Sequence, residues 1–422
     1  MNRIEQINQK YINYIILIFP LSLLTGPFIT DILVLISALL VLTLIINKKI
    51  WIKNLNLKIF LYFFLSIIIS SIINFFLNNQ IIFSEKIISL FKSFAYLRYF
   101  LFFIILYLFI STRKHFFKLY IVSSIIICFL CFDTIYQYLF NENLFGYHSK
   151  SNGRLTSIFN EEAIIGGVIL KFFFIQSICF FVIKNFSQNK FINVSYLLSI
   201  MIILPTIIFT LERTSVLLFT FAILMIILFQ ENKKLKFYIF LLFSILVIFF
   251  YSMFPNVLDR WKETRNDLNR SIYNFGYVSH FYSAGNMFLD NPFFGVGLKN
   301  FRNNCEYYKS ESFNIKDKKF FKKLSEKQKK NFLRNLCSTH PHNTYFEIIS
   351  ELGLYGLITF LILIFNFYLK IYKSNTKLLI IPIFILLFPF LPSGSFFNNY
   401  NSAFFWFIIG LTFAAKKNLE KI

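Results

Sequence analysis

Two histidines separated by one residue, His340 and His342, stand in the run Ser338-Thr-His-Pro-His-Asn343, where a long polar stretch gives way to an apolar one. The chain has five histidines in 422 residues, and no other two are so close. An imidazole titrates near neutrality, so the pair is suited to shuttling a proton. At the border of water and bilayer, such chemistry needs a substrate carried on a lipid. Asn343, Glu347 and Glu351 follow at four-residue intervals and share one helical face. Glu347 falls one turn below His342, where a carboxylate would orient the imidazole and raise its basicity. The other reading of the glutamates is a polar stripe meeting an arginine or lysine of a neighbouring helix, and it suits Glu351 better. His-x-His is also a metal pattern, but it needs two further donors, and the nearby acidic residues lack a standard ligand spacing. The expectation is therefore no metal and no cofactor.

The elements that must position these residues are membrane helices. Hydrophobic residues make up 57% of the chain and charged residues 15%, too apolar a balance for a soluble protein of this length. Apolar runs of about 17 to 25 residues, enough to cross a bilayer, lie near 12–26, 28–46, 58–77, 93–110, 117–139, 163–183, 192–210, 214–229, 237–254, 343–369, 377–391 and 402–415. Pro20 and Gly26-Pro27 lead the first run straight into the second, with no small-residue cleavage pattern, so the first is an anchor and not a cleaved signal. With the N-terminus inside, the segments 1–11, 47–57, 111–116, 184–191, 230–236, 370–376 and 416–422 fall on the cytoplasmic side, and each is basic. The turns near Thr25 and Pro392 to Asn401 hold no lysine or arginine, and the stretch from Asn78 to Leu90 holds only Lys86. The expected fold is an all-α integral membrane protein of about twelve transmembrane helices with both termini cytoplasmic. Helices one to nine occupy 1–254, a long external loop 255–342, and helices ten to twelve 343–422. Much of the net charge of +23 lies in the cytoplasmic loops, so membrane lipids and not nucleic acid are the expected partner.

On that topology several cations share the outer half of the membrane. Lys171 lies nine residues past the external Glu162, about 13 Å along a helix. Arg98 sits near the outer start of the fourth span, Arg213 in the external hairpin Leu211-Glu-Arg-Thr214, and Arg154 in the loop before the sixth span. Singly, each is explained by snorkelling to lipid headgroups; together, on the side of the histidines, they suit a diphosphate. Asp133, nearer mid-membrane, either pairs with one of them or is hydrogen-bonded.

The external loop reads as ordered, with a helical stretch over 272–289, turns at Asp290-Asn-Pro-Phe-Phe-Gly-Val-Gly297, and a basic helix from Ile315 to Leu336. In that basic helix Phe320, Phe321, Leu324 and Phe332 would rest on lipid if it served as a lid, whereas a solvated basic helix needs no such contact. Cys305 and Cys337 both lie in the loop, where an oxidising compartment would let them form a disulfide beside the histidines.

Thr339-His-Pro-His-Asn-Thr-Tyr-Phe-Glu-Ile-Ile-Ser-Glu-Leu-Gly-Leu-Tyr-Gly356 resembles the signature of the O-antigen ligase and O-antigen polymerase family, in which His-Asn opens a helix ending in Glu-x-Gly-x-x-Gly. Gly153-Arg-Leu-Thr-Ser-Ile-Phe-Asn160 before Gly166 and Lys171, Glu212-Arg-Thr-Ser215, Asn291-Pro-Phe-Phe-Gly-Val-Gly297 and Pro392-Ser-Gly-Ser-Phe-Phe-Asn398 also look like family segments. The similarity spans about 150–410. Phe346 stands where the family usually has leucine, a departure that touches packing. The resemblance implies a GT-C-like enzyme of the bacterial inner membrane, with its site facing the periplasm. It implies metal-independent, inverting transfer of a glycan from undecaprenyl diphosphate to a hydroxyl. By the same resemblance His342 is the general base; His340, Asn343 and Glu347 are the supporting candidates by their position beside it. Arg213, Arg154 and Lys171, with Arg98 beside them and Arg270 as a weaker match, hold the leaving diphosphate. A ligase, with lipid A-core as acceptor, is preferred to a polymerase that extends one lipid-linked glycan with another. A lipid or polysaccharide transporter is the rival of another class; the chain shows no repeated halves with broken helices in matching places.

Overall fold

A computed structural model of the chain describes residues 3–48, 57–78, 81–150, 153–160, 162–186, 190–253, 276–309, 325–372 and 376–420. Among these residues there is no strand, only one isolated antiparallel bridge between Glu142 and His148. The helices in the first part of the chain are α1 (Arg3–Ser22), α2 (Pro27–Lys48), α3 (Leu57–Leu77), α4 (Phe83–Ala95), α5 (Leu97–Phe109), α6 (Arg113–Phe140), α7 (Ile165–Phe186), α8 (Lys190–Phe209), α9 (Arg213–Phe229) and α10 (Lys233–Met253). There follow α11 (Gly276–Asp290), α12 (Phe301–Lys309), α13 (Glu326–Arg334), α14 (Thr344–Tyr372), α15 (Ile381–Leu386) and α16 (Asn399–Leu419).

Six helical segments among the described residues are long and apolar enough to cross a membrane: Lys58–Leu77, Phe83–Phe109, Arg113–Phe140, Ile165–Lys184, Lys190–Phe209 and Thr344–Tyr372. Shorter apolar helices run over Tyr11–Ser22, Pro27–Thr43, Arg213–Phe229 and Lys377–Leu386. Two expectations change. The stretch from Asn78 to Leu90, read as an external loop, is largely α4, which turns at Tyr96 directly into α5. The run at 377–391 is a 3-10 turn leading into α15, which stops at Leu386. Pro389 and Pro392 follow, and a residue without an amide hydrogen cannot extend a helix ladder.

The middle of the bundle is formed by α7 and α16, whose residues are buried almost from end to end, as expected for helices that are apolar on every side. Trp406 of α16 is fully enclosed, with the rings of Phe60, Phe63 and Phe64 at centroid distances of 5.0 to 6.3 Å. Around this core α16 packs on α2, α5 and α7.

The feature that most directly positions the loop is a break inside α14. At Gly353 the backbone leaves the helix (φ 67°, ψ −164°), and the turn at 292–297 fills the gap with its own backbone. Leu354 and Tyr355 N–H donate to Pro292 and Phe293 carbonyls at 2.8 and 3.1 Å, while Val296 and Gly297 N–H donate to Ser350 and Glu351 carbonyls at 2.9 and 2.8 Å. A Cβ on Gly353 would lie 2.4 Å from Phe293 backbone, and one on Gly295 2.4 Å from Glu351 backbone, so both positions need glycine. Ser70 and Asn74 of α3 bind the same turn, through Phe294 and Gly295 carbonyls. Non-helical backbone at membrane depth is tolerated where protein satisfies it in this way.

The loop helix expected at 272–289 is α11. Of the basic stretch from Ile315 the described part is α13, opened by a capping box of Ser325 and Gln328. Phe332 is buried against Tyr282, with ring centroids 5.5 Å apart, and does not rest on lipid. Lys316, Phe320, Phe321 and Leu324 lie outside the described residues, as does Arg270.

Candidate active site

Asn343 caps α14, its side-chain oxygen accepting from Tyr345 N and Phe346 N at 3.0 and 3.3 Å, and its amide donates to Pro389 carbonyl at 2.8 Å. Just before it, His342 sits in the left-handed region (φ 57°), a conformation uncommon for a non-glycine residue and often associated with function. Its carbonyl accepts from Ser393 N at 2.9 Å. Two polar segments, one before α14 and one before α16, are thus clasped at the histidines.

The structure brings three imidazoles together. His342 packs on His340 at a centroid distance of 4.1 Å and on His280 of α11 at 5.2 Å, with the Tyr277 ring also 5.2 Å away. His280 escapes sequence reasoning because it is a lone histidine sixty-two residues from its partner. His340 Nδ1 meets Thr339 Oγ1 at 2.9 Å. Burial, reinforced by the neighbouring His342, lowers His340 and His280 to about 4 each, and burial lowers His342 from its ordinary 6.5. All three rings are therefore neutral bases at pH 7. No group of three potential metal ligands with suitable geometry occurs among the described residues.

His340 and Thr339 border a cavity of about 440 Å³. Glu347 and Glu351 also line it, with Ser395, Asn398, Asn399 and Asn401 coming from the segment that opens α16. Lys299 and Arg302 complete the polar lining. His342 itself stands one ring behind His340 and does not line the cavity.

Glu347 does not orient His342 as expected. Its oxygens accept from Ser395 Oγ at 2.5 Å and Phe396 N at 2.7 Å, so it anchors the 392–398 segment. Glu351 meets backbone and not a cationic side chain, accepting from Lys299 N at 2.7 Å and Phe301 N at 3.4 Å. That clasp fixes the first turn of α12 and holds Lys299 at φ 59°.

The four expected cations do not meet at one point. Arg98 is paired with Asp31 at 2.8 Å, and Asp31 in turn accepts from the Asn399 amide at 3.2 Å. Lys171 donates to Asn401 Oδ1 at 2.9 Å and lies 4.2 Å from the Tyr400 ring centroid. Arg98, by way of Asp31 and Asn399, and Lys171, by way of Asn401, therefore reach the cavity wall. Arg154 and Arg213 gather elsewhere, at the Glu212 hairpin. There Glu212 accepts from Gly166 N, Gly167 N and Ser215 Oγ, Arg154 bears on its carboxylate, and Arg213 opens α9. Asp133 is hydrogen-bonded: it accepts from Ser157 Oγ, Asn143 Nδ2 and Leu144 N, and so secures the loop that carries Arg154.

Cys305 and Cys337 form a disulfide, with Cα atoms 5.2 Å apart. The bond ties α12, which carries Arg302, to the segment leading into His340. Phe346 stacks on Phe281 at 4.6 Å, so its departure from leucine serves the contact between α11 and α14.

Residues 198–361 match the family model described as O-antigen ligase. Over that stretch the chain is similar to the O-antigen ligase family. The match takes in Arg213, the histidines, Glu347, Glu351 and the Gly353 break, and lies within the expected 150–410. The similarity implies glycosyl-transfer activity, and six helices among the described residues are long and apolar enough to cross a membrane. No curated protein matches the sequence.

Proposed function

We propose that the protein transfers a glycan from undecaprenyl diphosphate to a hydroxyl of lipid A-core at the periplasmic face of the inner membrane, as an O-antigen ligase. The observation that carries this reading is the histidine pair beside a polar cavity, at the mouth of a membrane helix and inside the family match. A lipid-borne donor reaches such a place laterally from the bilayer.

In this mechanism a ring nitrogen of His342 takes the proton of the acceptor hydroxyl as its oxygen attacks the anomeric carbon. The bond from that carbon to the diphosphate oxygen breaks, and the diphosphate leaves with the electron pair. One displacement inverts the centre. A neutral, buried imidazole is suited to the first event, and general-base catalysis contributes about 10²- to 10⁴-fold. Arg213 and Arg154, which gather at the Glu212 hairpin, are assigned to the charge of the departing diphosphate, whereas Lys171 and Arg98 are bound to Asn401 and Asp31. The reaction as written needs no metal.

A second assignment of the base rests on one observation: His340, not His342, borders the cavity. Single alanine variants at the two positions separate the assignments. The activity is tested by incubating purified protein with an undecaprenyl-diphosphate-linked oligosaccharide, with and without lipid A-core, and resolving products by mass. Glycan on lipid A-core is the expected product. Lengthened undecaprenyl-linked chains alone would make the protein a polymerase, and intact donor in both would reopen transport.

A further inference from the structure

Two cations at the cavity make no ion pair with the described residues. Lys299 is half-buried, and its ammonium donates to one neutral acceptor, Asn399 Oδ1 at 3.2 Å, with no ion pair among the described residues. Arg302, in the first turn of α12, is exposed at the same cavity and makes no side-chain hydrogen bond to the described residues. An ammonium carries three donors, and one held out of water with a single neutral partner is costly until an anion completes it. The two carboxylates of the cavity act on Lys299 only at a distance and form no ion pair with it. Glu347 is turned to Ser395 and Phe396, and Glu351 to the backbone amides of Lys299 and Phe301. Burial, then repulsion from Lys92, lowers the Lys299 ammonium to about 8, against the opposing pull of the Glu351 and Glu347 carboxylates.

We propose that this cavity is a subsite for an acidic group, carboxylate or phosphate, on the acceptor glycan, held by Lys299 and Arg302. The proposal rests on the transfer reading, because His340 borders the same cavity and an acceptor seated there has its hydroxyl beside the imidazoles. The acceptor, not the donor diphosphate, is the assigned occupant for two reasons. Arg154 and Arg213, linked by family resemblance to the diphosphate, lie at the Glu212 hairpin and do not line this cavity; and the acceptor is the substrate that must meet a base. The volume of about 440 Å³ suits a small ligand.

The test uses the full-length protein in detergent and isothermal titration with three probes: a glucuronate-terminated disaccharide, its neutral glucose counterpart, and farnesyl diphosphate as a short leaving group. Wild-type protein should bind the glucuronate probe about tenfold more tightly than the neutral one, as charge-assisted pairing implies. Lys299→Met and Arg302→Gln should each abolish that preference and leave farnesyl diphosphate affinity unchanged. Arg302 is exposed, so its variant carries the test even if Lys299→Met fails to fold. Equal affinity of the wild type for the two disaccharides would overturn the proposal. So would a loss of farnesyl diphosphate affinity in the variants, which would give the cations to the leaving group. Binding is read without turnover: charge-selective binding with no transfer to any acceptor would sink the transfer reading but uphold the subsite, while transfer with no charge preference would sink the subsite alone.

Discussion

An imidazole serves as base only while neutral, and at the residue scale burial sets that condition. His342 has its protonated form disfavoured and therefore stays neutral below its ordinary 6.5. Its basic form is present above its own lowered pKa and is lost as pH falls through it. The acid limb of kcat/KM should accordingly lie below pH 6.5, and a limb centred above 6.5 would contradict a buried base. The sequence makes His340 and His342 visible by spacing alone. It hides His280, because a lone histidine on α11 carries no signal until the fold sets its ring 5.2 Å from His342. Lys299 and Arg302 are hidden for a different reason. They are two ordinary basic residues after a turn, and only the Glu351 clasp and the cavity give them a place. Glu347 illustrates the opposite error: helical spacing puts it below His342, but its oxygens are turned to the 395–396 backbone and hydroxyl.

At the scale of elements, the site depends on two segments that enter each other's backbone. The turn at 292–297 repairs the break of α14, and the 389–398 segment is clasped at Asn343, Thr344 and Glu347. Gly353→Ala must displace Phe293 backbone from 2.4 Å and should destabilise the protein by about 2–4 kcal/mol. Thermal unfolding in detergent reads this as a lowered Tm; an unchanged Tm would mean that the docked turn contributes nothing. The Glu-x-Gly-x-x-Gly and Asn-Pro-Phe-Phe-Gly-Val-Gly motifs are both legible in the sequence, and their mutual docking is not. Backbone pairing between distant segments leaves no period in side-chain polarity, unlike the 3.6-residue period of a helix. The apolar run at 377–391 reads longer than α15 for a related reason, since it gives a length in residues but not the point where prolines stop the helix.

For the whole molecule, hydropathy is sufficient to identify an all-helical membrane protein, because each lipid-facing helix must be apolar over about 20 residues. Charge in the loops is a weaker guide to what faces the site: Arg98 and Lys171 reach the cavity wall through asparagines of α16, whereas Arg154 and Arg213 stand at another hairpin. The whole reaction, as proposed, runs on protein groups, so glycan transfer should proceed at the same rate after exhaustive chelation, and turnover restored only by added metal would contradict it. The most direct measurement compares initial rates of glycan transfer from an undecaprenyl-diphosphate donor by wild-type protein and by His342→Ala, each confirmed as inserted and folded. Loss of about 10²- to 10⁴-fold in the variant is the predicted result; a rate near that of the wild type would contradict His342 as the base.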